Sequence, residues 1–154
     1  MKAPVMDSTE YEISSDTDRI DLDLVHEFLS KSYWAQGRSR DAVAKSIQHS
    51  LCFGVYGSGR QVAFARVITD RTVFAYLADV FVVTEFRGRG IAKMLMREIL
   101  EHPDLQNLRL FFLGTRDAHG LYTQFGFSPF SQPERMMAIY NPNSDVKEMP
   151  CPIN

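Results

Sequence analysis

Six consecutive residues, Arg87-Gly88-Arg89-Gly90-Ile91-Ala92, stand between a Val/Phe-rich run and the clearest amphipathic stretch of the chain. A strand, a glycine turn and a helix in that order can hold an anion. The first N–H groups of a helix lack acceptors within it and lie at the positive end of its dipole, so several can donate to one phosphate oxygen. Gly88 and Gly90 have no Cβ to block a ligand and tolerate unusual dihedrals, while Arg87, Arg89 and Lys93 can add charge-assisted bonds. The bare spacing Arg/Gln-x-x-Gly-x-Gly/Ala is weak; its placement carries the argument. No Gly-x-x-x-x-Gly-Lys-Ser/Thr occurs, and the turn is not the Gly-x-Gly-x-x-Gly fingerprint, so kinase and dehydrogenase readings fall.

Asp79 is the second residue with chemical content. It lies in an otherwise apolar run, where a carboxylate is costly unless it is paired or functional. Two readings stay open: a proton acceptor, or an ion-pair partner of Arg66 on the neighbouring strand. Cys52, in another apolar segment, reads as a small packed hydrophobe rather than a nucleophile.

These residues need elements to position them. Tyr11–Ser14 suits a short strand, and Asp16 to Asp21 supplies turn and capping residues. Leu22, Val25, Phe28 and Leu29 recur at helical spacing, predicting a helix over about Leu22 to Lys31; Val43, Ala44 and Ile47 predict a second one behind Ser39 as N-cap. Leu51–Tyr56, Gln61–Thr69 and Val73–Val83 read as an antiparallel meander, separated by Gly57-Ser58-Gly59 and Asp70-Arg71-Thr72. Gly90 opens a helix with Ile91, Leu95 and Ile99 on one face, stopped by Pro103. Leu108–Leu113 reads as a strand buried on both faces in a parallel pairing, which makes the sheet mixed. Asp117 is expected to cap a short helix His119–Phe125 closed by Gly126, and Met136–Tyr140 to form a last strand.

The chain has 154 residues and 45% hydrophobic content, enough for one domain with one core, expected over 1–140 with an irregular tail over 141–154. A formal charge of -2 gives no global field for nucleic acid or anionic lipid, so anion binding must be local. Met1 to Ser15 has neither the basic start nor the apolar stretch of a secretory signal, and no apolar run approaches the roughly 20 residues of a membrane span. Two cysteines without a CxxC pair suit a reducing cytoplasm. The expected partners accordingly exclude nucleic acid and membrane, and no metal is called for.

With the turn, its strand Ala78–Phe86 and the segment Leu121-Tyr122-Thr123-Gln124-Phe125-Gly126-Phe127 in view, the chain resembles the GCN5-related N-acetyltransferase (GNAT) superfamily. Thr84 stands where many members have proline, and Thr115, Arg116 and Asp117 stand where many carry an asparagine before the tyrosine. The resemblance implies a mixed α/β GNAT-like fold, with about six or seven strands and four helices, splayed between the fourth and fifth strands. It further implies acetyl-CoA (coenzyme A) in that cleft, its pantetheine bonded to the backbone of Val80, Phe81 and Val82 and its pyrophosphate cradled by Gly88 to Lys93.

Such an activity moves an acetyl group to a primary amine by direct attack, which requires a base, an oxyanion site and an acid for the thiolate. The resemblance places Tyr122 near the sulfur as general acid; packing under the Gly126-Phe127 turn is its other reading. Asp79 is the first candidate base, ahead of Glu85 and His119, and a water chain without a single base is a further route. The oxyanion is expected at a backbone N–H near Val82, at a break in strand pairing. Tyr33, Trp34 and Tyr76 are expected to wall a pocket for a small-molecule amine, whereas Phe53 reads as core. The rivals are a non-catalytic CoA-binding sensor and a protein lysine or N-terminal acetyltransferase. A homodimer is entertained, though no residue pattern argues for it.

Overall fold

The computed structural model of the chain describes residues 10–144 and 146. The expectation for the amino terminus, and most of that for the tail, therefore falls outside the described residues. Five strands form one sheet in sequential order: β1 Glu12–Ser14, β2 Leu51–Gly57, β3 Arg60–Thr69, β4 Phe74–Val82 and β5 Leu110–Leu113. The first three pairings are antiparallel and the last, β4 with β5, is parallel.

Four helices accompany the sheet: α1 Leu22–Ser30, α2 Arg40–Gln48, α3 Ile91–Glu101 and α4 His119–Thr123. Their starts follow local chemistry. Asp21 Oδ1 accepts from Leu24 N at 3.0 Å and Ser39 Oγ from Ala42 N at 3.1 Å, each satisfying an amide with no intrahelical partner. Helix α3 buries Ile91, Leu95, Met96 and Ile99 against β2, β3 and β4. On the other side of the sheet α1 packs on α2, and Phe28 stacks on Phe81 with ring centroids 4.0 Å apart. Val25, Leu29, Val43, Phe53, Phe64 and Val67 are fully enclosed in the resulting core. Among the described residues no helix is long and apolar enough to cross a membrane.

Two features of β4 shape everything near it. It pairs with β5 only over Phe74–Leu77 and then runs on to Val82 without it, so the two strands part as the splay requires. Between the pairs Phe64↔Phe81 and Arg66↔Ala78, moreover, β3 has one residue, Ala65, where β4 has two, Asp79 and Val80. This is a β-bulge, and Asp79 sits in it with φ of 55°, the left-handed region that Asp tolerates better than most residues.

Several expectations are corrected. The sheet has five strands among the described residues, and Met136–Tyr140 forms none of them. That run is apolar enough for a strand but has no neighbour to pair with, and Met137 and Ile139 are fully exposed. Strand β5 is half-buried throughout rather than enclosed. Asp117 does not cap α4: Ala118 holds the N-cap position, and its N–H donates to Thr115 Oγ1 at 3.0 Å.

Candidate functional site

The glycine turn has the geometry its sequence calls for. Gly88 and Gly90 adopt φ of 76° and 77°, and Gly90, the N-cap of α3, offers no side chain to the helix amides. The amides at the start of α3 therefore point away from the helix without a capping oxygen. A Cβ built on Gly88 would meet nothing within 4 Å, so the space in front of the turn is open. The two turn arginines differ in what they do. Arg87 donates through Nε to Val82 O at 3.2 Å and lines the adjoining cleft, whereas Arg89 is folded back onto Tyr11, Phe86 and Glu85.

That cleft is large, about 980 Å³, and runs along the splayed end of β4. Val80, Phe81 and Val82 form one wall and α1, through Leu24 and Phe28, with Lys31 just past its end, the other; Arg60, Arg87 and Ala92 also line it. A smaller cavity of about 110 Å³ continues from it, walled by Tyr33, Trp34, Tyr76, Asp117 and the end of β5. The two share Tyr33, Trp34, Val80, Ala118 and Tyr122. Tyr122 thus stands at the junction. Of the residues expected in the phosphate cradle, Arg87 and Ala92 line the cleft; Gly88, Arg89, Gly90, Ile91 and Lys93 lie outside its walls, and the Ile91 side chain is core.

The phenol of Tyr122 is buried and its ring meets Phe127 edge-on at 5.9 Å. Burial, aided by Tyr33 and Asp117 nearby, pushes its pKa up to about 12, so the group remains a proton donor at any ordinary pH. Tyr33 and Trp34 meet edge to face at 5.1 Å, and the Arg116 guanidinium lies 3.7 Å over the Tyr33 ring.

Asp79, expected as the base, is placed differently. Its side chain is 1% exposed, and its oxygens accept from Trp34 Nε1 at 3.0 Å, Arg38 Nη1 at 3.0 Å and Arg66 Nε at 2.9 Å. Asp79 lines the small cavity, but its carboxylate is enclosed and already accepts from three donors, which presents it as an ion-pair partner rather than an exposed base. The pairing with Arg66 is the reading the structure supports. Glu85 is exposed on the cleft and 3.8 Å from Arg60, while His119 is exposed and lines neither cavity. The break in strand pairing is at Asp79–Val80, since Val82 is paired with Ala63. Sequence reasoning missed Arg38, Arg60 and Lys31, and it named Arg116 and Asp117 only as departures from the family pattern and, for Asp117, as a helix cap. Arg38 and Arg60 lie in polar, turn-forming stretches and nothing local marks them; their roles come from contacts far along the chain.

A mixed sheet splayed beside a glycine turn and a buried tyrosine is the architecture of an acyl-group transferase. The profile of the acetyltransferase (GNAT) domain matches residues 48–129, and the chain belongs to that family. A crystal structure of a provisionally named GNAT-family acetyltransferase from Xanthomonas campestris pv. campestris is 50% identical, with a TM-score of 0.83 over 86% of this chain and 94% of that one. A provisionally named acetyltransferase of Gibberella zeae is 26% identical over 84% of this chain and 86% of its own length. Glucosamine-6-phosphate N-acetyltransferase from Arabidopsis thaliana, 15% identical, has a TM-score of 0.59 over 84% of this chain and 97% of that one, and so shares the fold.

Proposed function

We propose that this protein transfers an acetyl group from acetyl-CoA to the primary amine of a small acceptor, by direct attack in a ternary complex. The observation that carries the reading is the position of Tyr122, a protonated phenol where the large cleft meets the small aromatic cavity. The chain fits the cofactor. Gly90 leaves the α3 amides uncapped, Arg87 lines the same cleft, and the length of β4 beyond Leu77 is free of β5 and can donate to an extended amide chain. When bound, acetyl-CoA supplies an activated thioester.

Each residue then has a task. The ladder interrupted at Asp79–Val80 frees backbone N–H to meet the oxyanion of the attacked carbonyl. Tyr122 gives its proton to the departing thiolate. Tyr33, Trp34 and Tyr76 hold the acceptor, and Asp117, which lines the same cavity, attracts its ammonium group before water takes the proton. The cavity's small volume favours a compact amine over a protein side chain carried on a bulky backbone.

The test is thiol release with acetyl-CoA and a panel of amines, alongside calorimetry with coenzyme A. Binding together with thiol release is expected. Binding without release from any amine would leave a CoA sensor, and no affinity at millimolar coenzyme A would remove the reading.

A further inference from the structure

Asp79 joins three parts of the molecule. Arg66 reaches it from β3, Trp34 and Arg38 reach it from the segment between α1 and α2, and its own backbone forms the β4 bulge. All the charged partners are enclosed, with side-chain exposures of 1% for Arg38, 4% for Arg66 and 1% for Asp79. Burying such a cluster adds little or nothing to stability, because desolvating the ions offsets their attraction. Its worth must then lie in what it holds in place.

What it holds is the pocket. The segment between α1 and α2 has only turns and bends, so no helix or strand ladder fixes it. Yet it supplies Tyr33 and Trp34 to both cavities. The Trp34 indole N–H bonds to one carboxylate oxygen and the Arg38 guanidinium to the other, so the wall residue Trp34 and Arg38, four positions on in the same segment, are tied to one side chain. That side chain departs from a residue at φ of 55°, a conformation that persists only where the surroundings fix it.

We propose that Asp79 is a positioning residue, whose carboxylate ties the segment Trp34–Arg38 to the bulge of β4 and so presets the Tyr33–Trp34 wall of the acceptor pocket. This rests on the reading of the small cavity as the acceptor site. Loss of the clamp frees the wall and misplaces the acceptor, while the phosphate turn, at the far end of β4, keeps its grip.

The chain has one tryptophan, so its emission reports on Trp34 alone, with no substrate present. In Asp79→Asn, acrylamide quenching of that emission is expected to rise roughly twofold as the wall opens. The KM for the acceptor should rise about tenfold with a smaller change in kcat, and the melting shift caused by coenzyme A should stay that of the wild type. A folded Asp79→Asn protein with wild-type quenching and acceptor KM overturns the proposal. So does one whose kcat collapses while KM and quenching stay fixed, since that makes Asp79 the base. Should Asp79→Asn fail to fold, Arg38→Lys keeps the charge but alters one tie to Asp79 without touching the pocket wall. Raised quenching together with a raised acceptor KM in Arg38→Lys supports the clamp; wild-type values of both overturn it. If the wild type acetylates no amine, the proposed function fails, and the quenching arm still decides whether Asp79 holds the wall.

Discussion

The guanidinium of Arg89 donates to the hydroxyl of Tyr11 at 3.2 Å, joining the glycine turn to the residue that leads into β1, 78 positions earlier. Tyr11 is held in turn by Phe86, edge-on at 6.4 Å, and by Gly57, where an added Cβ would lie 2.5 Å from its ring. Gly57→Ala should therefore destabilise the fold by about 1–3 kcal/mol through overpacking, read as a lower urea midpoint. An unchanged midpoint would mean the Tyr11 ring can move aside freely.

Gly90 at φ of 77° is a position where a β-branched residue is strained by about 1–3 kcal/mol. Gly90→Val should weaken coenzyme A binding roughly tenfold or more in calorimetry, because relief of that strain turns the first α3 amides away from the ligand. The core stays folded, since the turn is exposed. Wild-type affinity in a folded Gly90→Val protein would count heavily against the phosphate site.

Tyr122→Phe should lower kcat on the order of a hundredfold and leave coenzyme A affinity nearly intact, the signature of a lost proton donor. The pH dependence has a definite sign. Burial favours the neutral phenol, so the stabilisation is present below the ordinary value of 10.0 and is lost as pH rises toward about 12. Tyrosine absorbance near 295 nm should show one phenol that ionises only toward about pH 12, absent from the variant. Normal turnover by Tyr122→Phe would make the residue packing.

Cys52 is fully buried, and burial pushes its thiol pKa up to about 12. It cannot serve as an acyl carrier, in keeping with direct transfer. Peptide mapping after iodoacetamide should find Cys52 unmodified in the native protein and alkylated only after unfolding. Labelling of Cys52 in the folded state would contradict this packing.

Much of the fold was legible because its signals are local. Ser39 and Asp21 are caps within a turn of the amides they satisfy, the meander is marked by its turn residues, and the α3 pattern begins where Gly90 permits a left-handed residue. Asp79 shows where local reasoning stops. A lone carboxylate among Val and Phe signals that something is paired or functional, but Arg38 and Trp34 lie 41 and 45 residues away in a stretch that reads only as a helix break. The left-handed φ at a non-glycine residue has no sequence signature either. Met136–Tyr140 failed in the opposite sense: its composition suits a strand, but a strand requires an edge to bind, and composition does not supply one.

The extra residue in β4 also shifts a reading frame. Phe64 and Arg66 lie on one face of β3, so their partners Phe81 and Ala78 share a face as well, although three positions apart. Regular alternation would turn Phe81 toward α3 and deprive Phe28 of the ring it stacks on. Deleting Val80 would instead leave one residue opposite Ala65, keeping Phe81 opposite Phe64 but erasing the bulge in which Asp79 sits. The bulge thus keeps two rows of side chains in step: Phe81 stays against Phe28 while Asp79 stays within reach of Arg66, Arg38 and Trp34.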